Sequence, residues 1–434
     1  MIGSVRASSL GPAFDLLAAY APGGFFFERE GLGVAAPSLA GGHEIGASDL
    51  AGLARATASE LRGSDARAVA VGALPFLPGP ASVWVPPRTV TRVDGRETWL
   101  VDVGEGRRGA FVPERVTGEL PHEAFREVQL REEPTAAAYG EAVRAAVERI
   151  GSGELTKVVL ARTLEVEAGR SLDARRLVHR LRAVEPHCFT FAAPARQGPP
   201  SSVAGASKEV PAESRDSASH HPAAAPTQGA RALVGASPEL LVSRRGDRVR
   251  STPLAGTAPR AGDLDQDLAN AEALAASSKN REEHAIVVEA VADVLGSFCD
   301  ELSFDAEPVL EPTANVWHLA TRFDGTLRDP STSVLDLLAE LHPTPAVCGT
   351  PRSDALATIS ALEGFDRGAY AGPVGWVDAS GDGDWAIALR CASLGDDRAT
   401  LYAGAGIVAG SDAASEIDET DRKFRAFLDS LRWG

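Results

Sequence analysis

The sequence predicts a mixed α+β fold built largely from antiparallel hairpins. Short apolar runs of period two, broken by Gly and Pro turns, recur along the chain. Two pairs of these runs are joined by tight turns, one at Arg245-Gly246-Asp247 and one at residues 380–383. Between the runs lie stretches whose apolar residues recur every three or four positions, the mark of amphipathic helices.

At 434 residues, the chain is long enough for one large domain or two smaller ones, and 44% hydrophobic content suits a globular protein. A net charge of −17 argues against an extended nucleic-acid footprint, which needs a clustered positive field. It leaves room for a small anion in a local pocket. Cys188, Cys299, Cys348 and Cys391 are widely spaced and form no CxxC pair, so they read as reduced thiols of a cytoplasmic protein. The first residues lack a signal-peptide profile, and no apolar run has the length of a membrane span. Of 43 basic residues only Lys157, Lys208, Lys279 and Lys423 are lysines, so each lysine is more informative than usual.

In chain order, residues 1–130 carry short apolar runs at 68–75, 81–85 and 96–101 and a helix over 49–61, with Ser48 a plausible N-cap. No chemical motif stands out there, and the segment reads as part of a sheet. A helix follows over 139–150, ending at Gly151, and then a strand over 155–164. Val158 and Leu160 share one face of that strand, and Lys157, Val159 and Ala161 the other. Lys157 therefore stands among apolar neighbours. Burial lowers a lysine pKa and a neutral amine is a base, but acting near pH 7 needs a fall of about three units from ~10.4. A solvated lysine at a strand end is the alternative. A helix over 172–184 and a strand over 188–193 come next. Residues 196–229 turn rich in Pro, Ser and Ala and read as a disordered surface insertion, despite His220-His221.

The strand at 232–243 contains Pro238, which can begin a strand but not sit inside one, so Glu239 falls at a strand start after a bend. Residues 253–260 read as a turn with free N–H groups near Gly256 and Thr257, able to cradle a carboxylate or to serve as an ordinary loop. In the helix over 279–298, His284, Val287, Val288, Val291, Leu295 and Phe298 form a buried stripe. Glu283 lies at its edge, where pairing with Lys279 is the plain reading. A strand over 317–327, helices over 333–341 and 353–362, and the second hairpin lead to Arg390. The hairpin's return strand is expected to neighbour a glycine-rich run. That run, with Gly404 and Gly406 in alternation, leaves space for a ligand to approach the backbone. An acidic helix follows, with Ile417, Phe424, Leu428 and Leu431 as its stripe. Glu416 and Glu419 sit three apart on one face, suited to a hard cation such as Mg²⁺. They suit equally an acidic first turn with Glu419 paired to Lys423.

KVVLAR at 157–162, GASPELLV at 235–242, PLAGTAPR at 253–260, the EH of KNREEH, HPTPAVCGTP at 342–351, YAGPVGW at 370–376, ALR at 388–390, and AGAGIV followed by EIDETDRK occur in that order. In these segments the chain resembles the chorismate-utilising enzymes, most closely the isochorismate synthases. The resemblance implies one α+β domain over 1–434, with two facing antiparallel sheets, helices outside and the site between them. Residues 1–135 would supply the N-terminal part of the sheets and 136–434 the catalytic part. It implies Mg²⁺-dependent conversion of chorismate to isochorismate by an isomerase. Lys157 would be the general base on water and Glu239 the general acid on the departing hydroxyl. Glu283 and Glu419 would be Mg²⁺ ligands with Glu416 nearby, and Gly256, Thr257, Arg390 and Gly404 would hold substrate carboxylates while Tyr370 lines the pocket. Asn280 and Cys348 depart from the family pattern, where an acidic and a small residue are usual.

The chemistry needs these residue types. Hydroxide is a poor leaving group and water a poor nucleophile, so an acid and a base must flank the ring, each driven from its usual protonation state. Salicylate synthase, which goes on to eliminate pyruvate, shares all these residues. Anthranilate or aminodeoxychorismate synthase is disfavoured by Lys157, because ammonia needs no such base. A monomer without an obligatory glutaminase partner is the expectation, although the sequence does not fix oligomeric state, and both menaquinone and siderophore pathways stay open.

Overall fold

A computed structural model describes residues 4–93, 95–104, 111–113, 129–169, 171–195 and 232–432. The insertion read at 196–229, with His220 and His221, lies outside them. Two large antiparallel sheets, of twelve and nine strands, dominate. Both contribute to one buried cluster, with Phe27, Leu160 and Phe191 from the first and Val71, Val242 and Trp385 from the second. The expected pair of facing sheets is therefore present. A third, three-stranded sheet was not expected; it joins Leu254–Pro259, Val316–Ala320 and Val309–Pro312.

The N-terminal third serves both large sheets. Val5–Ser9, Phe25–Arg29, Leu32–Ala36, Arg88–Arg92 and Trp99–Val103 enter the first, and His43–Ala47, Val69–Ala73 and Ala81–Val85 the second. The helix Leu50–Leu61 is capped by Asp49, whose carboxylate accepts from Gly52 N at 2.6 Å. Ser48, the expected cap, instead donates to that carboxylate.

Lys157–Glu167 is the strand on which the site is hung. It pairs along ten residues with Arg398–Ile407, so that Val159 faces Gly406 and Ala161 faces Gly404. Its β-branched and apolar residues are buried on both faces, as a strand covered by layers on either side requires. The helices Ala136–Gly151 and Ala413–Arg432 lie against it, and Tyr139 Oη donates to Leu160 O at 3.0 Å.

Two stretches that look continuous in sequence are broken in space. Residues 317–327 form Val316–Ala320 in the small sheet and Phe323–Leu327 in the nine-stranded one. Residues 384–392 likewise split. Gly383–Ile387 completes the hairpin with Pro373–Asp378, and Cys391–Leu394 crosses into the first sheet beside Arg398–Ile407. Arg390 sits at that crossing with φ +48°, a left-handed conformation rare for a residue with a side chain. Among the described residues no helix is long and apolar enough to cross a membrane.

Candidate active site

A cavity opens where the two large sheets and the small sheet meet. Eight of the ten predicted site residues line it: Glu239, Gly256, Thr257, Glu283, Tyr370, Arg390, Gly404 and Glu419. The other two do not: Lys157 packs against the lining residues Glu283 and Gly406, and Glu416 is held by Lys279.

Glu239 follows Pro238, between two strands of different sheets. Its backbone is pinned by Ser237 Oγ, which accepts from its N–H, and by Ile387 N–H, which donates to its carbonyl. The side chain is only 3% exposed. Burial pushes its carboxyl up to about 8, against the pull of Lys157 and of the Leu254 N–H that donates to it. Among the described residues it has no ion-pair partner.

Lys157 is fully buried, and its Nζ stands 3.0 Å from Glu283 Oε1. That contact has the distance of an ion pair without hydrogen-bond geometry, which leaves the ammonium with no hydrogen-bond acceptor. A β-carbon at Gly406 would lie 1.9 Å from Glu283 Oε1 and 3.1 Å from Lys157 Cε. One at Gly404 would lie 3.0 Å from Tyr370 Oη. The alternating glycines thus make room for site side chains. The occupants come from distant parts of the chain, so the glycine alternation alone does not reveal them.

The other two carboxylates are also held by lysines. Lys279 Nζ donates to Glu416 Oε1 at 2.8 Å, and Lys423 Nζ donates to Glu419 Oε1 at 2.5 Å and to Gly404 O at 2.8 Å. Lys279 therefore pairs with Glu416 and not with Glu283. Burial and the charge of Glu419 raise the Glu416 carboxyl, outweighing Lys279. Burial also works to raise Glu419, but Lys423, with Lys279 and Arg390, outweighs it and the net direction is down. Among the described residues no group of three ligating side chains is arranged around one point. Hard carboxylate oxygens on Glu283 and Glu419 nonetheless face one cavity, and each already holds a cation. That donor set fits Mg²⁺, which keeps several waters and takes one or two carboxylates plus substrate oxygens.

Arg162 fixes the acidic helix to the Lys157 strand. Its fully buried guanidinium donates to Thr420 Oγ1 at 2.9 Å and to Asp421, one and two residues beyond Glu419. A second buried pair, Glu363 and Arg367, substitutes for a neighbouring strand along the same edge. Glu363 accepts from Ala161 N at 2.8 Å, and Arg367 donates to Val159 O at 2.9 Å and Val347 O at 2.8 Å.

His318 and Lys423 also line the cavity, although sequence reasoning does not place them in the site. Helical spacing offers Lys423 only as a partner for Glu419. Burial, then Arg390 and Lys423, holds the His318 imidazole well below its usual range, hence neutral. Its Nδ1 is 3.2 Å from Gly256 O, so the proton belongs there, and Nε2 accepts from Arg390 Nη2 at 2.9 Å. His318 thereby aims Arg390 into the cavity. The small sheet makes this possible. Residues 253–260 form a strand with a bulge at Gly256, φ +79°, in place of the expected free turn. The Tyr370 ring stacks on Tyr402 at 4.9 Å and walls one side.

A family model for chorismate-binding enzymes matches residues 114–210 and 213–432. A Mycobacterium tuberculosis protein assigned as the isochorismate synthase MenF is 40% identical over 382 residues, covering 87% of this chain and 90% of that protein. Isochorismate synthase DhbC of Bacillus subtilis is 39% identical over 313 residues, 72% of each chain. Among solved structures, a Bacillus anthracis protein described as a 2,3-dihydroxybenzoate-specific isochorismate synthase, DhbC, superposes with a TM-score of 0.78 at 32% identity. The match covers 96% of this chain and 99% of that one.

Proposed function

The chain belongs to the chorismate-binding enzyme family, and from that premise we propose that it is an isochorismate synthase, an isomerase that adds water at C2 of chorismate as the C4 hydroxyl departs. The observation that carries the reading is Glu239: a cavity-facing carboxyl whose burial pushes it up to about 8, in a chamber also lined by Arg390 and Lys423. A protonated carboxyl is what a departing hydroxyl needs.

The substrate's carboxylates go to Arg390, aimed by His318, to Lys423, and to the backbone at Gly256, Thr257 and Gly404. Tyr370 shapes the pocket wall. Lys157 is the base for water. It acts only as a neutral amine, so Glu283 must turn away from it in the reacting complex. Glu283 and Glu419 would hold a Mg²⁺ ion, with Glu416 close by. When bound, that ion supplies positive charge that neutralises a substrate carboxylate and offsets the acidity of the protein. With no glutaminase needed, the enzyme works as a cytoplasmic monomer of one domain.

The test is to incubate purified protein with chorismate and Mg²⁺ and separate the products. Isochorismate alone is expected. Salicylate with pyruvate would make it a salicylate synthase, and an ammonia requirement would overturn the water chemistry.

A further inference from the structure

Three of the chain's four lysines, Lys157, Lys279 and Lys423, each hold one of the three glutamates Glu283, Glu416 and Glu419. The cluster is then formally neutral. Inserting a divalent ion would add two uncompensated positive charges in a buried place, and a lysine that leaves removes one of them.

The three lysines differ in their freedom to do so. The side chain of Lys157 is 0% exposed and that of Lys423 10%, whereas Lys279 is 35% exposed. Lys279 alone can rotate its ammonium into water while its stem stays in place. Its partner cannot follow, because the Glu416 side chain is 3% exposed. Besides Glu416, the charges of Glu283 and Glu419 also act on Lys279. Its position is otherwise unfavourable. Lys279 is the second residue of the helix Ser278–Phe298, where a cation opposes the helix dipole. The residue type also matters. Arginine would grip a carboxylate with a two-pronged fork, while lysine is a point charge that releases readily.

We propose that Lys279 is a displaceable counter-cation: it holds Glu416 until a divalent ion binds, then yields that carboxylate to the ion's surroundings and swings into solvent. The inference rests on the metal role proposed for Glu283 and Glu419.

The experiment acylates the full-length protein with a lysine-selective reagent, with and without Mg²⁺, and maps the modified peptides by mass. Mg²⁺ binding is measured by calorimetry on the same preparation. Lys279 acylation should rise about threefold or more with Mg²⁺, as expected for an amine leaving an ion pair for water. Lys279→Met should bind Mg²⁺ at least about tenfold more tightly, because one unit charge has been removed a few ångströms from the ion. Lys279→Arg should bind it more weakly than wild type. If wild type binds Mg²⁺ while Lys279 acylation is unchanged or falls, or if Lys279→Met binds no more tightly, this inference fails and the metal role stands. If wild type gives no Mg²⁺ binding at all, the metal role fails and takes the inference with it.

Discussion

Glu239 and Glu416 are buried to nearly the same extent, 3% and 2% exposed. Both carboxyls are raised by burial. Glu416 has an ammonium at 2.8 Å and Glu239 has no ion-pair partner among the described residues, yet Glu239 faces the cavity and Glu416 does not. Burial sets the tendency to keep a proton, and the partner decides what the group is for. On the proposed reading, the carboxyl without a counter-charge serves as proton donor, and the carboxylates held by lysines serve as a cation site whose charge is already balanced. Glu363 makes the same point from the structural side: its carboxylate is spent on Arg367 and on a backbone N–H, and it braces a strand.

The paired side can be broken first. Excess EDTA should abolish turnover, with recovery on adding Mg²⁺, and an unchanged rate under chelation would end the metal role. On the unpaired side, Glu239→Gln keeps shape and removes the proton. Turnover should fall by roughly 10²–10⁴ with substrate binding within a few-fold of wild type, the range for a general acid. Loss of binding with turnover preserved at saturation would reassign Glu239 to substrate holding. Lys157→Ala should cost turnover on the same scale, about 10²–10⁴, while binding survives, and a near-normal rate would remove Lys157 as base.

A subtler probe is Gly406→Ala. Its methyl would fall 1.9 Å from Glu283 Oε1, so Glu283 must move. Calorimetry should show Mg²⁺ binding weakened by about tenfold, within the range for disturbing a metal site's supporting contacts. Unchanged affinity would place the ion elsewhere.

The smallest effect is on pH. Glu239 must carry its proton to act, so turnover should decline as pH rises through about 8. Its folded-state value is raised, so its contribution to stability is complete below the unfolded value of ~4.3 and is lost as pH climbs through about 8. The melting temperature of wild type should therefore fall relative to that of Glu239→Gln as pH rises from about 5 to about 8. Parallel curves would mean that the carboxyl titrates normally.

Much of the fold was written locally. The strand carrying Lys157, the helices at 50–61, 136–151 and 278–298, and both hairpins follow from period-two runs, apolar stripes and turn residues, and the structure has them within a few positions. Alternation placed Lys157 among apolar neighbours but left a solvated strand end open; its burial is decided by the layers that cover both faces of the strand. Harder to see were the breaks inside 317–327 and 384–392. A strand that leaves one sheet for another keeps its apolar character, and only the crossing at Arg390, with its left-handed backbone, marks the change.

By itself the sequence determined which chemical groups are present, in what order, and on which face of their own strand or helix each stands, because those properties depend on neighbours a few residues away. The tertiary structure alone decided who meets whom. Lys157 reaches Glu283, Lys279 reaches Glu416, and His318 reaches Arg390, across separations of 126, 137 and 72 residues. Contacts at such separations impose no periodicity on the chain, and the charge balance they create exists only once the sheets have closed around them.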